Sequence, residues 1–502
     1  MSYTFTRPMV QCLFCKGGTG SINRALPLQK LYAYAVRRRF GSTPIRLEGN
    51  SEQQWPTQNT RHPMHSNLLS ESLRVLDMDQ RCRVGVQVRD DLKALIVTGK
   101  QATSTFPYTF LRDLCSCPHC IDPSTTQKQF QSSDIPENIT IKAVRIDEQG
   151  CHLYWDHDID GYGEDHVTNF SCNWLSNQAD SMGLEEKPNG LPNESPWGKD
   201  AISVFPKLGE NFSCGLEYSD ICQEDSSLLT ALRHLKEYGL VFIHNVPDSP
   251  NSIEVITSRI GGLRHTFYGK TWDVKSKPNA ENVAYTNKHL GLHMDLLYMA
   301  DPPGLQLLHC LRSSCNGGES IFSDALNAAV ILRWSRIELF KSLLQFPVSY
   351  RYFNGDQRYH YTRPTIELDN FPTFETGDLL VTDHYAQIHS KIKHVNWSPP
   401  FQAPFTPRRA FPSTFSESFR LYLAAAREFD KIVNSPDMVL EKRLEPGQCV
   451  IFNNRRVLHA RKAFDTNSGE RWLKGGYVDT DVWMSKLRSL SRDTFDPTWK
   501  TH

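Results

Sequence analysis

His293 and Asp295 stand two residues apart in the string His293-Met-Asp295, and on an extended chain side chains at i and i+2 point the same way. Both can therefore reach one ion. His459 follows a strand-like run, Gln448 to Phe452, at the edge of the same apolar region. Two histidines and one carboxylate form a donor set that holds Fe(II) on one face and leaves three positions open. Taken alone, His-x-Asp is a common surface tripeptide. Arg471, twelve residues after His459, gives it weight. A buried arginine can clamp the far carboxylate of a keto acid bidentately while the keto-carboxylate end chelates the ion.

A second donor cluster is Cys115-Ser-Cys117-Pro-His-Cys120, which packs three thiols into six residues. Structural cysteines are usually scattered through a core. This density points instead to a tetrahedral zinc site that needs one more ligand, for which His119, His157 and His166 are available. A closed zinc site contributes folding energy and offers no room for a substrate. Cys12 and Cys15 have no second pair beside them and read as accidental.

These residues must be positioned by a chain of 502 residues, too long for one ordinary domain. Lysine plus arginine number 56 and aspartate plus glutamate number 56, so the basic excess of a nucleic-acid protein is absent. No apolar run approaches the roughly 18 residues of a transmembrane helix, so no membrane span is expected. Thirteen cysteines in so long a chain favour metal binding or burial over disulfide staples. Residues 1–48 carry no acid before Glu48 but eight basic residues, Arg37-Arg-Arg39 among them, and read as a mitochondrial transit segment. Residues 49–72 are polar and read as a flexible joint.

Residues 73–175 alternate short apolar runs with turn signals, notably Val84 to Val88 and Ile139 to Ile146 before a hairpin at Gly150, and predict a small β-rich domain. Residues 176–200 are rich in proline and glycine and read as a linker. In residues 201–495 a helical face of Leu228, Leu229, Leu232 and Leu235 ends at Gly239, just before a strand beginning at Leu240. Further strands are expected at Gly304–Cys310, Ser320–Ser323, Leu379–Thr382, Gln448–Phe452 and Arg471–Tyr477. Two helices are expected, over 324–345 and 416–433, with a proline-rich ordered loop over 396–412. The fold class is mainly β with peripheral helices, a jelly-roll or barrel.

Thr266-Phe-Tyr-Gly-Lys-Thr-Trp272, Asn282-Val-Ala-Tyr285, His293-Met-Asp295, Gly304-Leu-Gln-Leu-Leu-His-Cys310 and Gly317-Gly-Glu-Ser320 follow in that order. In this the chain resembles the γ-butyrobetaine dioxygenase and trimethyllysine dioxygenase family of 2-oxoglutarate-dependent oxygenases, from about Leu73 to Arg492. The resemblance implies a distorted double-stranded β-helix preceded by a small zinc-binding domain. It implies Fe(II) held by His293, Asp295 and His459, and 2-oxoglutarate held by Arg471 with Ser320 beside it. It also implies O2 as co-substrate, ascorbate as an accessory reductant, a homodimer, and His166 as the fourth zinc ligand. Asp295 favours hydroxylation, because related halogenating enzymes lack the carboxylate.

The resemblance further puts Tyr268, Trp272, Tyr285 and Tyr477 at the positions of an aromatic cage. A quaternary ammonium cannot donate hydrogen bonds, so ring faces are its natural partners. The expected substrate is therefore a trimethylammonium compound, γ-butyrobetaine giving carnitine, with trimethyllysine or another betaine as the alternative. Asn282 favours γ-butyrobetaine. Leu296, where butyrobetaine enzymes carry an aromatic, and the string Asp165-His-Val-Thr168 pull the other way, and Tyr298 could supply the missing ring.

Overall fold

The computed structural model describes residues 75–76, 84–163, 165–181, 192–199, 216–276, 285–369, 391–405 and 412–491. The transit segment, the 49–72 joint, the strand expected at 379–382, and Asn282 lie outside the described residues.

Residues 84–181 hold two antiparallel sheets. One joins Gly85–Arg89, Ala94–Thr98 and Thr103–Pro107; the other joins Thr140–Asp147, Gly150–Asp156 and Val167–Phe170, with Val75–Leu76 added in parallel. The hairpin turns at Gly150, whose φ is +143°, and a Cβ there would stand 2.3 Å from the Phe170 carbonyl oxygen. Only glycine suits that turn. The inward residues Leu95, Val97, Phe106, Val144, Leu153 and Trp155 form one apolar cluster. The helix Cys172–Ser181 carries the chain into the stretch read as a linker. That stretch ends ordered: Trp197 is buried and its Nε1 donates to the Tyr238 carbonyl at 2.7 Å.

The region that carries the histidines is a two-sheet jelly-roll. Its larger sheet runs Leu240–Ile243, Cys449–Asn453, Leu305–Ser313, Arg471–Val478 and Thr271–Val274; its smaller runs Leu290–His293, Val457–Arg461, Ser320–Asp324 and Val439–Lys442. Alternation along Leu305–Ser313 explains the layers. Leu308 and Cys310 join Phe242, Phe322, Phe452 and Val450 in one cluster. Leu305 and Leu307 join the other, with Leu228, Leu232 and Leu235 of the helix Asp225–Glu237. Covered on both faces, the strand is buried from Leu305 to Leu311, with Gln306 and His309 as its polar members.

Two expectations change. The helix expected over 324–345 is two helices, Ala325–Ser335 and Ile337–Gln345, broken at Arg336. Ser335 Oγ donates back to the Ile331 carbonyl at 2.7 Å, a bond that bends helices, and the break lets Phe340 and Leu343 join the same core as Ala329 and Leu332. A hairpin, Pro347–Asn354 with Gln357–Pro364, stands where no strand was expected.

Candidate functional site

His293 ends its strand in direct cross-strand register with His459, so the two imidazoles face each other with ring centroids 4.2 Å apart. Asp295 follows where the ladder stops. His293 Nε2 lies 3.4 Å from Asp295 Oδ1 and His459 Nε2 lies 3.9 Å from Oδ2. One ligand atom from each residue lies within 4.8 Å of the others. His293 Nδ1 donates to the Gly291 carbonyl at 2.8 Å, which leaves its Nε2 lone pair facing the cluster. Burial pushes the His459 imidazole down to about 3, with His293 alongside adding to the effect, so it stays a neutral donor. Burial works to raise the Asp295 carboxyl. The facing His293 and His459 imidazoles and the Tyr477 hydroxyl, which donates to Oδ2 at 2.6 Å, together hold it well below the usual carboxylate range. Two imidazole nitrogens and a carboxylate on one side of a point fit Fe(II) with open positions.

Arg471 opens its strand, is 9% exposed, and donates from Nε to the Gly318 carbonyl at 3.1 Å. Gly318 has a φ of +78°, and a Cβ there would come within 2.9 Å of Arg471 Cδ. The glycine turn thus lets the arginine fold against the sheet. Ser320, buried, begins its strand two residues later and pairs with Arg461. Arg461 was not singled out from sequence. It lies two residues beyond His459 on the same strand face, and its guanidinium donates to the Thr286 and Lys288 carbonyls. Burial first, and Arg471 second, push it down to about 10. Two neighbouring buried guanidiniums make this corner strongly attractive to a dicarboxylate. The signal was available in the i, i+2 spacing from His459.

Tyr268, Trp272, Tyr285 and Tyr477 belong to one apolar cluster. Trp272 and Tyr477 have ring centroids 4.2 Å apart; Tyr268 lies 6.3 Å from Trp272 and, perpendicular, 6.4 Å from Tyr285. The Trp272 ring lies over Gly475 on the neighbouring strand, where a Cβ would be 2.5 Å from it. Sequence reasoning missed the outer wall: Phe267, Tyr352 and Tyr359, the last two from the 347–364 hairpin. Tyr298 is stacked on Tyr352 at 5.4 Å and is 2% exposed, so it is part of that wall. Leu296 is buried with a φ of +61°.

In the N-terminal region the sulfurs of Cys115, Cys117 and Cys120 each lie 3.4 Å from His166 Nε2. Tetrahedral zinc with ordinary bond lengths would set sulfur and nitrogen about 3.6 Å apart, so the donors fit. His166 Nδ1 meets Asp158 Oδ2 at 2.6 Å, and Asp158 also accepts from Arg112 at 2.5 Å. Arg112 is fully buried, flanked by Phe130 and Tyr162, and its Nη1 lies 3.3 Å from Cys120 Sγ. It would offset the negative charge that three thiolates would bring to a metal held there. His119 and His157 lie outside this cluster.

Residues 202–477 match the family model of the taurine catabolism dioxygenase TauD, TfdA family, and residues 86–176 match a γ-butyrobetaine hydroxylase-like N-terminal model. The chain belongs to the TauD, TfdA dioxygenase family. Dioxygenase str8 of Strobilurus tenacellus is 36% identical over 77% of this chain and 85% of its own. The γ-butyrobetaine dioxygenase of a Pseudomonas strain is 32% identical over 78% and 91%. The trimethyllysine dioxygenase of Meyerozyma guilliermondii is 28% identical over 78% and 91%.

This TauD-family chain is thus a dioxygenase of the Fe(II) and 2-oxoglutarate type. Its structure brings His293, Asp295, His459 and Tyr477 to one point, and Cys115, Cys117, Cys120 and His166 to another. No helix among the described residues is long and apolar enough to cross a membrane.

Proposed function

We propose that this dioxygenase hydroxylates a trimethylammonium compound, with γ-butyrobetaine, giving carnitine, as the leading substrate. His293, Asp295 and His459 hold Fe(II), which when bound supplies the oxygen chemistry. Arg471 takes the distal carboxylate of 2-oxoglutarate and Ser320 lies beside it. Cys115, Cys117, Cys120 and His166 hold a structural zinc. The observation that carries the substrate reading is Tyr477, whose ring belongs to the aromatic set while its hydroxyl sits on Asp295. A cation against these rings keeps its carbon chain within a few bonds of the metal. Each ring contact contributes roughly 0.5–2 kcal/mol, more when desolvated. Asn282 adds to the γ-butyrobetaine reading.

Leu296, apolar and buried next to Asp295, favours a second reading in which trimethyllysine or another betaine is preferred. The acid-free N-terminus supports mitochondrial import. The test is turnover with Fe(II), 2-oxoglutarate and a panel of trimethylammonium compounds. We expect one hydroxylated product and one succinate per turnover with γ-butyrobetaine. Hydroxylation of none of the panel would overturn the trimethylammonium reading.

A further inference from the structure

Asp295 lies just past the end of a ladder. The strand Leu290–His293 pairs with Val457–Arg461 as far as His293 opposite His459, and two residues later Asp295 has no strand partner. A buried backbone there still needs its hydrogen bonds. Asn454, in the turn between Cys449–Asn453 and Val457–Arg461, supplies them from a side chain that is 0% exposed. Its Oδ1 accepts from the Asp295 amide at 2.8 Å, and its Nδ2 donates to the Asp295 carbonyl at 3.0 Å. The same Nδ2 lies 3.2 Å from the Pro303 carbonyl, and the Asn454 amide donates to the Gly304 carbonyl at 2.9 Å. One carboxamide, with an acceptor and two donor hydrogens, thus does the work of a missing strand.

The neighbouring backbone shows why this matters. Met294 donates from its amide to the Trp397 carbonyl at 2.8 Å, so the chain is fixed just before Asp295. Just after it, Leu296 sits at φ +61°, a conformation that a residue with a Cβ adopts only under strain. The Met299 amide closes that turn onto the Leu296 carbonyl at 2.9 Å. Without a fixed peptide at 295, Leu296 would relax toward ordinary φ and rotate the carboxylate away from His293 and His459.

We propose that Asn454 is a positioning residue for Asp295: it belongs to neither donor set and sets the direction of the carboxylate through both main-chain groups. The proposal rests on the reading of Asp295 as a metal ligand. Binding of Mn(II) to the full chain, titrated without turnover, tests it. Asn454→Leu keeps the volume and branching of asparagine and removes its hydrogen bonds. It should raise the Mn(II) Kd roughly 10- to 100-fold, the usual cost of losing a partner that orients a ligand. Asn454→Ser, with a hydroxyl that can satisfy one of the two groups, should fall between and serves if the leucine variant does not fold. Near-ultraviolet circular dichroism at the titration temperature identifies the folded protein. Wild-type Mn(II) affinity in folded Asn454 variants, with only a lower melting temperature, would overturn the proposal. Asp295→Ala is the control: if it too binds Mn(II) as the wild type does, the ligand reading itself fails.

Discussion

Cys115, Cys117 and Cys120 come from one short knuckle and meet His166, just before the strand Val167–Phe170, so that four donors close around a point. His293 and His459 come from two paired strands and Asp295 from just past the end of one, and together they close only one side. Around the first, every outer contact braces the cluster: Asp158 on His166, Arg112 on Cys120 and Asp158, rings on Arg112. Around the second, Asn454 and Tyr477 fix Asp295, and the Tyr477 ring joins Asp295 to the aromatic set. A complete tetrahedral set has nowhere to put a reactant, whereas a facial set does. On the proposed assignments, metal chemistry in this chain divides by how many positions the protein itself fills.

The largest effect that could break this contrast is on turnover. His293→Ala or Asp295→Ala should reduce hydroxylation to background while the thermal transition stays within a few degrees. Substantial 2-oxoglutarate decarboxylation in either variant would remove the facial donor set. At the closed site the pattern should invert. Cys120→Ser should lose the bound metal and lower the denaturant midpoint, with remaining activity following the folded fraction, because binding energy at such a site is folding energy. Normal stability in a metal-free Cys120→Ser protein would show that the knuckle does not need its ion.

Smaller effects sharpen the open site. Arg471→Ala should raise the apparent KM for 2-oxoglutarate about thirtyfold to a hundredfold, as loss of a charge-assisted pair worth roughly 2–3 kcal/mol requires. A change confined to the betaine KM would instead make Arg471 a substrate residue. The smallest effect concerns the rings. A neutral isostere with tert-butyl in place of trimethylammonium should bind about tenfold worse, roughly 1.4 kcal/mol, and Trp272→Leu should narrow that gap. Equal binding to the unmodified protein would reduce the aromatics to core.

Legibility in the sequence followed how local each signal is. The Cys-x-Cys-x-x-Cys knuckle and the His-x-Asp pair are short strings, visible without a structure. The run Leu305–Leu311 reads as a buried strand because both its faces are covered. The hairpin at 347–364 was missed although Gly355-Asp356 between runs with alternating aromatics marks a two-residue turn, and Gly355 takes a φ of +55°. Its Tyr352 and Tyr359 rings stack on Phe267, so the missed turn hid part of the aromatic cluster. Arg461 and Asn454 differ in kind. Arg461 shared a strand face with His459 and could have been inferred. Asn454 gains its role only when the turn after residue 453 is folded against Asp295, a contact 159 positions apart in the chain.

Iron and zinc counted per chain in one set of samples test the division most directly. The protein would be purified without chelators, loaded with Fe(II) under anaerobic conditions, and freed of unbound metal. One zinc and one iron are expected in the wild type, with loss of iron alone in Asp295→Ala and loss of zinc in Cys120→Ser. No zinc in the wild type, or zinc departing together with iron in Asp295→Ala, would contradict it.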